Sequence, residues 1–240
     1  MKLRKYLVSV VSGMVVLLFS GCTKLPNLDY NAQMHKDIHT IAIIPPKKIE
    51  DIGVFYFNHP GMSLGLIGGL AAAAEFSSKK TTYNNLIKSE KFDANRYFTQ
   101  KLADYLKDEG YSVHLLPYDK RRDNDYMKKY PNINTDAFLD VVILDLGYIA
   151  GSPSSSYKPT VRAKVKMLKR KNQTTLYEKY IGAGESFALS EKADYAGDDT
   201  AHHYKDFDTL KKHAQESVEG IKKALDMLAR HIADALKKSK

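Results

Sequence analysis

The sequence predicts an α+β domain: a mixed sheet of about five strands with helices packed on it, closed by a long amphipathic helix at the carboxy end. Three observations carry this expectation. "AFLDVVILDLGYIAG" is nearly continuous apolar sequence from Phe138 to Ile149, as a strand buried on both faces requires. "TVRAKVKML" alternates strictly, with Val161, Ala163, Val165 and Met167 opposite Arg162, Lys164 and Lys166; the turn "RKNQT" then leads into a returning partner, "TLYEKYIGAGESF". Finally Phe207, Leu210, Ala214, Val218, Ile221, Leu225, Leu228, Ile232 and Leu236 advance by threes and fours along one helical stripe, with Lys212, Lys222, Lys223, Arg230 and Lys237 on the other side. A chain of 240 residues that is 43% hydrophobic and 27% charged has room for one sizeable core.

The remaining elements fall into place around these. "HTIAIIPP", His39 to Pro46, is a β-branched run stopped by two prolines and reads as a buried strand ending at Ile44. The run from Ile52 to Ala74 carries no formal charge and is interrupted by His59-Pro60. A polar bridge, "SSKKTTYNNLIKSE", precedes "KFDANRYFTQKLADYLKDEGY", in which Phe92, Tyr97 or Phe98, Leu102, Tyr105 and Leu106 recur at helical spacing and Gly110 supplies the stop. "YSVHLLP" reads as another strand, and "YDKRRDNDYMKKYP" as a short helix or turn. "SPSSSYKP" and residues 188 to 205 read as polar loops.

The amino terminus carries the most specific signal. Lys2, Arg4 and Lys5 lead into an uncharged apolar stretch, Tyr6 to Phe19, followed by Ser20-Gly21-Cys22, the layout of a secretory signal peptide. The apolar stretch is shorter than the ~20 residues a spanning helix needs. "LLFSGC" resembles the bacterial lipoprotein lipobox, with Phe19 where that motif usually has Leu. The resemblance implies that residues 1 to 21 are removed and that Cys22 is diacylated and becomes the first residue. Cys22 is the only cysteine, so no disulfide forms within one chain. Thr23 after the cysteine implies, by the same resemblance, sorting to the outer membrane. Residues 22 to 38 then read as the lipidated cysteine and a tether, and residues 39 to 240 as one periplasmic α+β domain with an apolar Gly/Ala-rich insertion at 53 to 76.

The order of elements, with "IAIIPP" after the tether, "FTQKLADYLKDEGYSVHLLP", "DVVILDLGYI" and the hairpin "VRAKVKMLKRKNQTTLYEKY", resembles a class of envelope proteins. These are the curli secretion channel lipoprotein, the lipoprotein activators of penicillin-binding proteins, and the amino-terminal domain of TolB. The resemblance implies a mixed sheet with helices on it and says more about fold than about role.

No catalytic constellation emerges. Ser152, Ser154, Ser155 and Ser156 share a loop without a G-x-S-x-G elbow or S-x-x-K motif. His202-His203, with Asp198, Asp199 and His213, is the one grouping of metal-ligating types, and adjacent histidines point apart, so no metal and no cofactor are expected. Asp145 reads as an acid in the central strand, satisfied by backbone or a basic neighbour. The net charge of +9 is spread along the chain and suits anionic lipid or other envelope polyanions; no nucleic-acid module is present.

"GMSLGLIGGLAAAAEF", Gly61 to Phe76, lacks the Lys-Ser/Thr that a phosphate loop needs after its last glycine. Gly61, Gly65, Gly69 and Ala73 recur at every fourth position, the spacing that lets another backbone approach a helix closely. Three destinations fit: burial against the domain's own sheet, an interface with a partner or a second copy, or dipping into the membrane. Its uncharged stretch gives about 21 Å of helix against a hydrocarbon core of roughly 30 Å, too short to span. The expected role is non-enzymatic: a lipid-anchored, periplasm-facing adaptor or accessory subunit of an envelope assembly, contacting another envelope protein or itself through this segment. Subunits of a homo-oligomeric secretion complex, or a lipid or small-molecule carrier, are the alternatives.

Overall fold

The computed structural model describes residues 27–117, 123–186 and 193–238. The signal segment and Cys22 lie outside the described residues. The architecture is α+β, a mixed sheet with helices packed on it. Among the described residues the sheet has eight strands rather than about five. They are β1 (Asn27–Leu28), β2 (Thr40–Ile44), β3 (Gly53–Tyr56), β4 (Ser112–Leu115), β5 (Ala137–Ala150), β6 (Lys158–Lys169), β7 (Thr175–Ala183) and β8 (Asp194–Tyr195). The excess comes from short pieces that leave little periodicity to read: β1 and β8 have two residues each and β3 has four.

β5 organises the sheet. Its 14 residues are long enough to receive two parallel neighbours on one edge, β2 beside residues 137–140 and β3 beside residues 147–150. β6 pairs antiparallel along its other edge, with an irregularity between Ile143 and Asp145, and β7 follows as the hairpin partner. β1 and β8 both lie on the outer edge of β7, and β4 extends the sheet beyond β2. Residues from Asn27 onward therefore already lie on the domain, and Ile38 is buried in its core.

Among the described residues four α-helices accompany the sheet: α1 (Gly65–Ile87), α2 (Ala94–Asp108), α3 (Phe207–Lys212) and α4 (Ala214–Ala235). α2 starts where Asp93 accepts the Arg96 backbone N–H, an N-cap that satisfies one of the free donors of the first turn. It buries Phe98, Leu102 and Leu106, in keeping with the spacing read above. The carboxy-terminal stripe is not one helix: it breaks at His213, whose φ of −110° and ψ of 24° are not helical. Asp206 caps the short α3, and α4 then lays Val218, Ile221, Leu225, Leu228 and Ile232 into the core beneath β5–β7.

Two further expectations change. The polar "SSKKTTYNNLIKSE" is helical as far as Ile87, because Tyr83 and Ile87 reach the core and Asn84 bonds both the N–H and the C=O of Ile52. The described part of "YDKRRDNDYMKKYP" forms no helix; residues 123–135 instead fold across the second face of the sheet. There Met127, Tyr130 and Ile133 pack on Ala42, Ile44, Phe138 and Leu168. The acid that anchors this cover is Asp140, fully buried and accepting from the Met127 N–H and the Tyr130 hydroxyl. Asp145, the acid singled out in the sequence, is partly exposed and pairs with Arg162 across the β5–β6 irregularity.

Candidate functional site: an apolar helix tip and its polar clasp

Charge-free sequence from Ile52 to Ala74 does three things in succession. It first supplies β3, whose last residue Tyr56 pairs with Ala150 at the end of β5. Phe57 and Asn58 continue the ladder to Ala150 and Gly151, and a single 3-10 turn, Pro60–Leu64, follows. Pro60 sits at the start of this turn, where its missing N–H costs nothing. Gly65 has φ +68°, a left-handed conformation that non-glycine residues rarely adopt, and it swings the chain from the turn into α1.

α1 then runs back along β3. Glu75 accepts from the Tyr56 hydroxyl and Asn84 bonds Ile52, so residues 75–84 lie alongside the strand. Residues 65–74 carry α1 on past the level of Tyr56, ten residues and about 15 Å of helix at 1.5 Å per residue, with Gly68 and Ala72 buried and the larger side chains turned outward. Leu66 is 81% exposed, Ile67 83% and Leu64 74%, and Met62 and Leu70 are exposed as well. Each such side chain left in water forgoes roughly 1.5–3 kcal/mol relative to burial. Burial against the domain's own sheet is therefore not where the structure puts this tip.

The fourfold set is not carried by one helix either: Gly65, Gly69 and Ala73 share a side of α1, but Gly61 lies outside that helix. Gly61 belongs to the 3-10 turn and Gly65 to the bend, while Gly69 is half-buried and Ala73 exposed on α1. A side chain at Gly65 or Gly69 would meet nothing within 4 Å. The close backbone approach exists between a different pair: a Cβ on Gly68 would lie 2.1 Å from the Gly61 carbonyl oxygen, and one on Gly61 would lie 2.5 Å from that of Gly68. Small residues at 61 and 68 thus let the 3-10 turn lie directly on the first turns of α1. Spacing by seven across a bend is not legible from a fourfold repeat.

A polar clasp holds the base of the tip. The His59 ring stacks on Tyr56 at 5.1 Å and 3°, and Phe76 meets both edge-on. His59 Nδ1 accepts the Gly61 backbone N–H at 2.8 Å, so the ring proton sits on Nε2 and is donated to Glu75 Oε2 at 3.0 Å. Glu75 Oε1 accepts from Tyr56 and lies 2.7 Å from Lys79 Nζ, which also donates to the Tyr157 hydroxyl. Hydrogen bonds from Lys79 and His59, against a smaller cost of burial, hold the Glu75 carboxyl down at about 2. Burial, followed by the bond to Glu75, pushes the Tyr56 hydroxyl up to about 12. Burial works to lower the Lys79 ammonium, but its bonds to Glu75 and Tyr157 outweigh this and raise it. Glu75, Tyr56 and Lys79 thus keep their ordinary charges at neutral pH, which suits a structural clasp. One sign of it is legible in the sequence, where the first charge after the apolar run is Glu75.

The other groupings singled out in the sequence form local pairs among the described residues. His202 pairs with Asp199 and His203 with Asp198, while His213 pairs with Glu216. No group of three or more metal-ligating side chains occurs among the described residues. Ser152 bonds Ser154 and Ser155 with no base beside them in that network. No described helix is long and apolar enough to cross a membrane.

No protein-family model matches the sequence, and no curated protein matches it. Among solved structures, the chain is similar to the PelC dodecamer from Paraburkholderia phytofirmans, at 9% identity and a TM-score of 0.40 over 90% of this chain and 97% of that one. A protein from Xanthomonas campestris gives 10% identity and a TM-score of 0.40 over 81% of each chain. A hypothetical protein from Chlamydia trachomatis gives 9% and 0.26, over 78% of this chain and 98% of that one. Likeness at this level does not establish a shared role.

Proposed function

We propose that this protein is a lipid-anchored, periplasm-facing subunit of a cell-envelope assembly that works by contact and not by turnover. The observation that carries the reading is the exposed apolar tip formed by Met62, Leu64, Leu66, Ile67 and Leu70. Contiguous exposed apolar surface is costly in a water-soluble domain and marks a surface that meets something else. The clasp of His59, Glu75, Tyr56 and Lys79 supports it, because these groups are used to hold the tip out rather than to act on a substrate. In this reading Gly61 and Gly68 shape the tip, and Gly65, Gly69 and Ala73 lie among the contact residues without forming a groove of their own. Cys22 carries the lipid, and the outer membrane is the location the lipobox implies.

The test uses the full-length chain in cells. Replacing Cys22→Ser is expected to shift the protein from the membrane fraction to the soluble periplasmic fraction. A photo-cross-linking side chain at Leu66 is expected to give a discrete adduct, unlike the same group at Leu115 on the edge strand β4. An unchanged distribution of the Cys22→Ser chain defeats the anchor. Equal adduct yields at 66 and 115 defeat the contact role of the tip.

A further inference from the structure

We propose that the tip enters the acyl region of the same membrane leaflet that the anchor occupies, so that the domain is held to the bilayer at two points. This rests on the reading that the tip is a contact surface, and it assigns lipid as what the tip contacts.

The distribution of apolar residues around α1 points to lipid. At 100° per residue, Gly65, Gly69, Ala73, Leu66, Leu70, Ala74, Ile67 and Ala71 sweep through about 240° of the helix circumference. The remaining side carries Gly68 and Ala72, which are buried, and Gly68 lies against the 3-10 turn. Every outward direction of the first ten residues of α1 is therefore apolar. A protein groove would need one apolar face and leave the other in water, where polar residues serve better. Lipid surrounds what enters it, and an all-round apolar helix is what it requires.

The dimensions and the charges agree. The ten uncharged residues that open α1 give about 15 Å of helix, half of the roughly 30 Å hydrocarbon core, one leaflet and no more. The first charged residues along α1 are Glu75, Lys79 and Lys80, and they gather at the base where headgroups and water lie. Ser63, the one polar side chain of the 3-10 turn, donates its hydroxyl to the Pro60 carbonyl.

The anchor's attachment is compatible. β1 runs antiparallel to β7, so the chain enters it from the direction of the carboxy end of β7. That is the end of the sheet at which β5 and β3 finish, and α1 carries the tip on past the level of Tyr56 there. Four residues, 23 to 26, lie between Cys22 and Asn27, and the five steps from one to the other span at most about 17 Å of chain. A tether this short keeps the domain close enough to its leaflet for the tip to engage it.

The experiment exploits the single cysteine. In the lipidated full-length protein the Cys22 sulfur is blocked, so Ile67→Cys or Leu115→Cys introduces the sole free thiol. Each variant is labelled with an environment-sensitive fluorophore and reconstituted into vesicles of phosphatidylethanolamine and phosphatidylglycerol, with and without brominated acyl chains. The expected result is a blue shift and loss of fluorescence to bromolipid at position 67 and neither at position 115. A label at 67 that stays in water, as at 115, overturns the inference. So does one that is shielded but unquenched, or cross-linked to another protein or a second copy. Labelling of the wild-type protein with a maleimide reports on the anchor separately: reaction at Cys22 means the anchor is absent, and the tip is then read in the same vesicles with Cys22→Ser added.

Discussion

α4 and the first half of α1 are both apolar helical segments, and the molecule treats them in opposite ways. α4 places Ile221, Leu225, Leu228 and Ile232 against the sheet, each essentially inaccessible to solvent. The opening ten residues of α1 point Leu66, Ile67 and Leu70 into the surroundings. α4 alternates apolar with charged positions, so one side has a reason to turn inward and the other to stay wet. The α1 tip has no such contrast, and its orientation is set by what grips its ends: the bend at Gly65, the contact of Gly61 with Gly68, and the clasp around Glu75. Apolar character alone does not bury a helix; a one-sided pattern does.

The sharpest way to break this comparison is to truncate one residue from each helix. Leu228→Ala leaves a cavity in the core and is expected to cost about 2–5 kcal/mol in urea unfolding. Ile67→Ala removes a side chain that touches little and is expected to stay within about 0.5 kcal/mol of the parent. Equal losses at the two positions would mean that the tip is packed in solution.

A smaller effect separates the two central glycines of the tip. Gly68→Ala drives a methyl group into the Gly61 carbonyl, and overpacking of that kind costs about 1–3 kcal/mol. Because the strain is local, amide exchange at residues 61–68 is expected to accelerate more than global unfolding changes. Gly69→Ala meets open space and gains helix propensity, up to about 1 kcal/mol in favour of the folded tip. Protection lost at Gly69→Ala instead would show that the small residue at 69 is already in contact with another backbone.

The clasp gives the smallest effect, and its sign follows from linkage. The Glu75 carboxyl is held at about 2 in the folded protein against an ordinary 4.5, so its contribution is complete above the ordinary value. It is lost as pH falls from there through about 2. The side chain is 40% exposed, so solvent screens much of the effect. The stability gap between the parent and Glu75→Gln is expected to be largest at neutral pH and to close as pH falls toward 2. A gap independent of pH over that window would mean that Glu75 acts through its shape and not its charge.

Much of the frame was legible because it rests on pattern. The run from Phe138 to Ile149, the alternation from Val161 to Met167 and the spacing of Phe98, Leu102 and Leu106 each state their own environment, and the structure places them accordingly. Short strands were not legible: two residues at Asn27–Leu28 or Asp194–Tyr195 pair because β7 offers an open edge, which is a property of the sheet and not of those residues. Asp140 and Asp145 differ in the same way. Both stand in one apolar strand, and only the loop of Met127 and Tyr130 folding over one of them decides which is buried.

What the sequence by itself determined is that residues 52–74 carry no charge, that Gly and Ala recur among them, and that Cys22 stands alone in a lipobox-like context. What only the tertiary structure decided is that this uncharged stretch is split into a strand, a turn and a helix, with its apolar side chains turned outward. The physical reason is that burial is settled by the partner a surface finds. Tyr83 and Ile87 find the core, whereas Leu66 and Ile67, on the same helix about four to six turns earlier, find no surface of the domain to cover them.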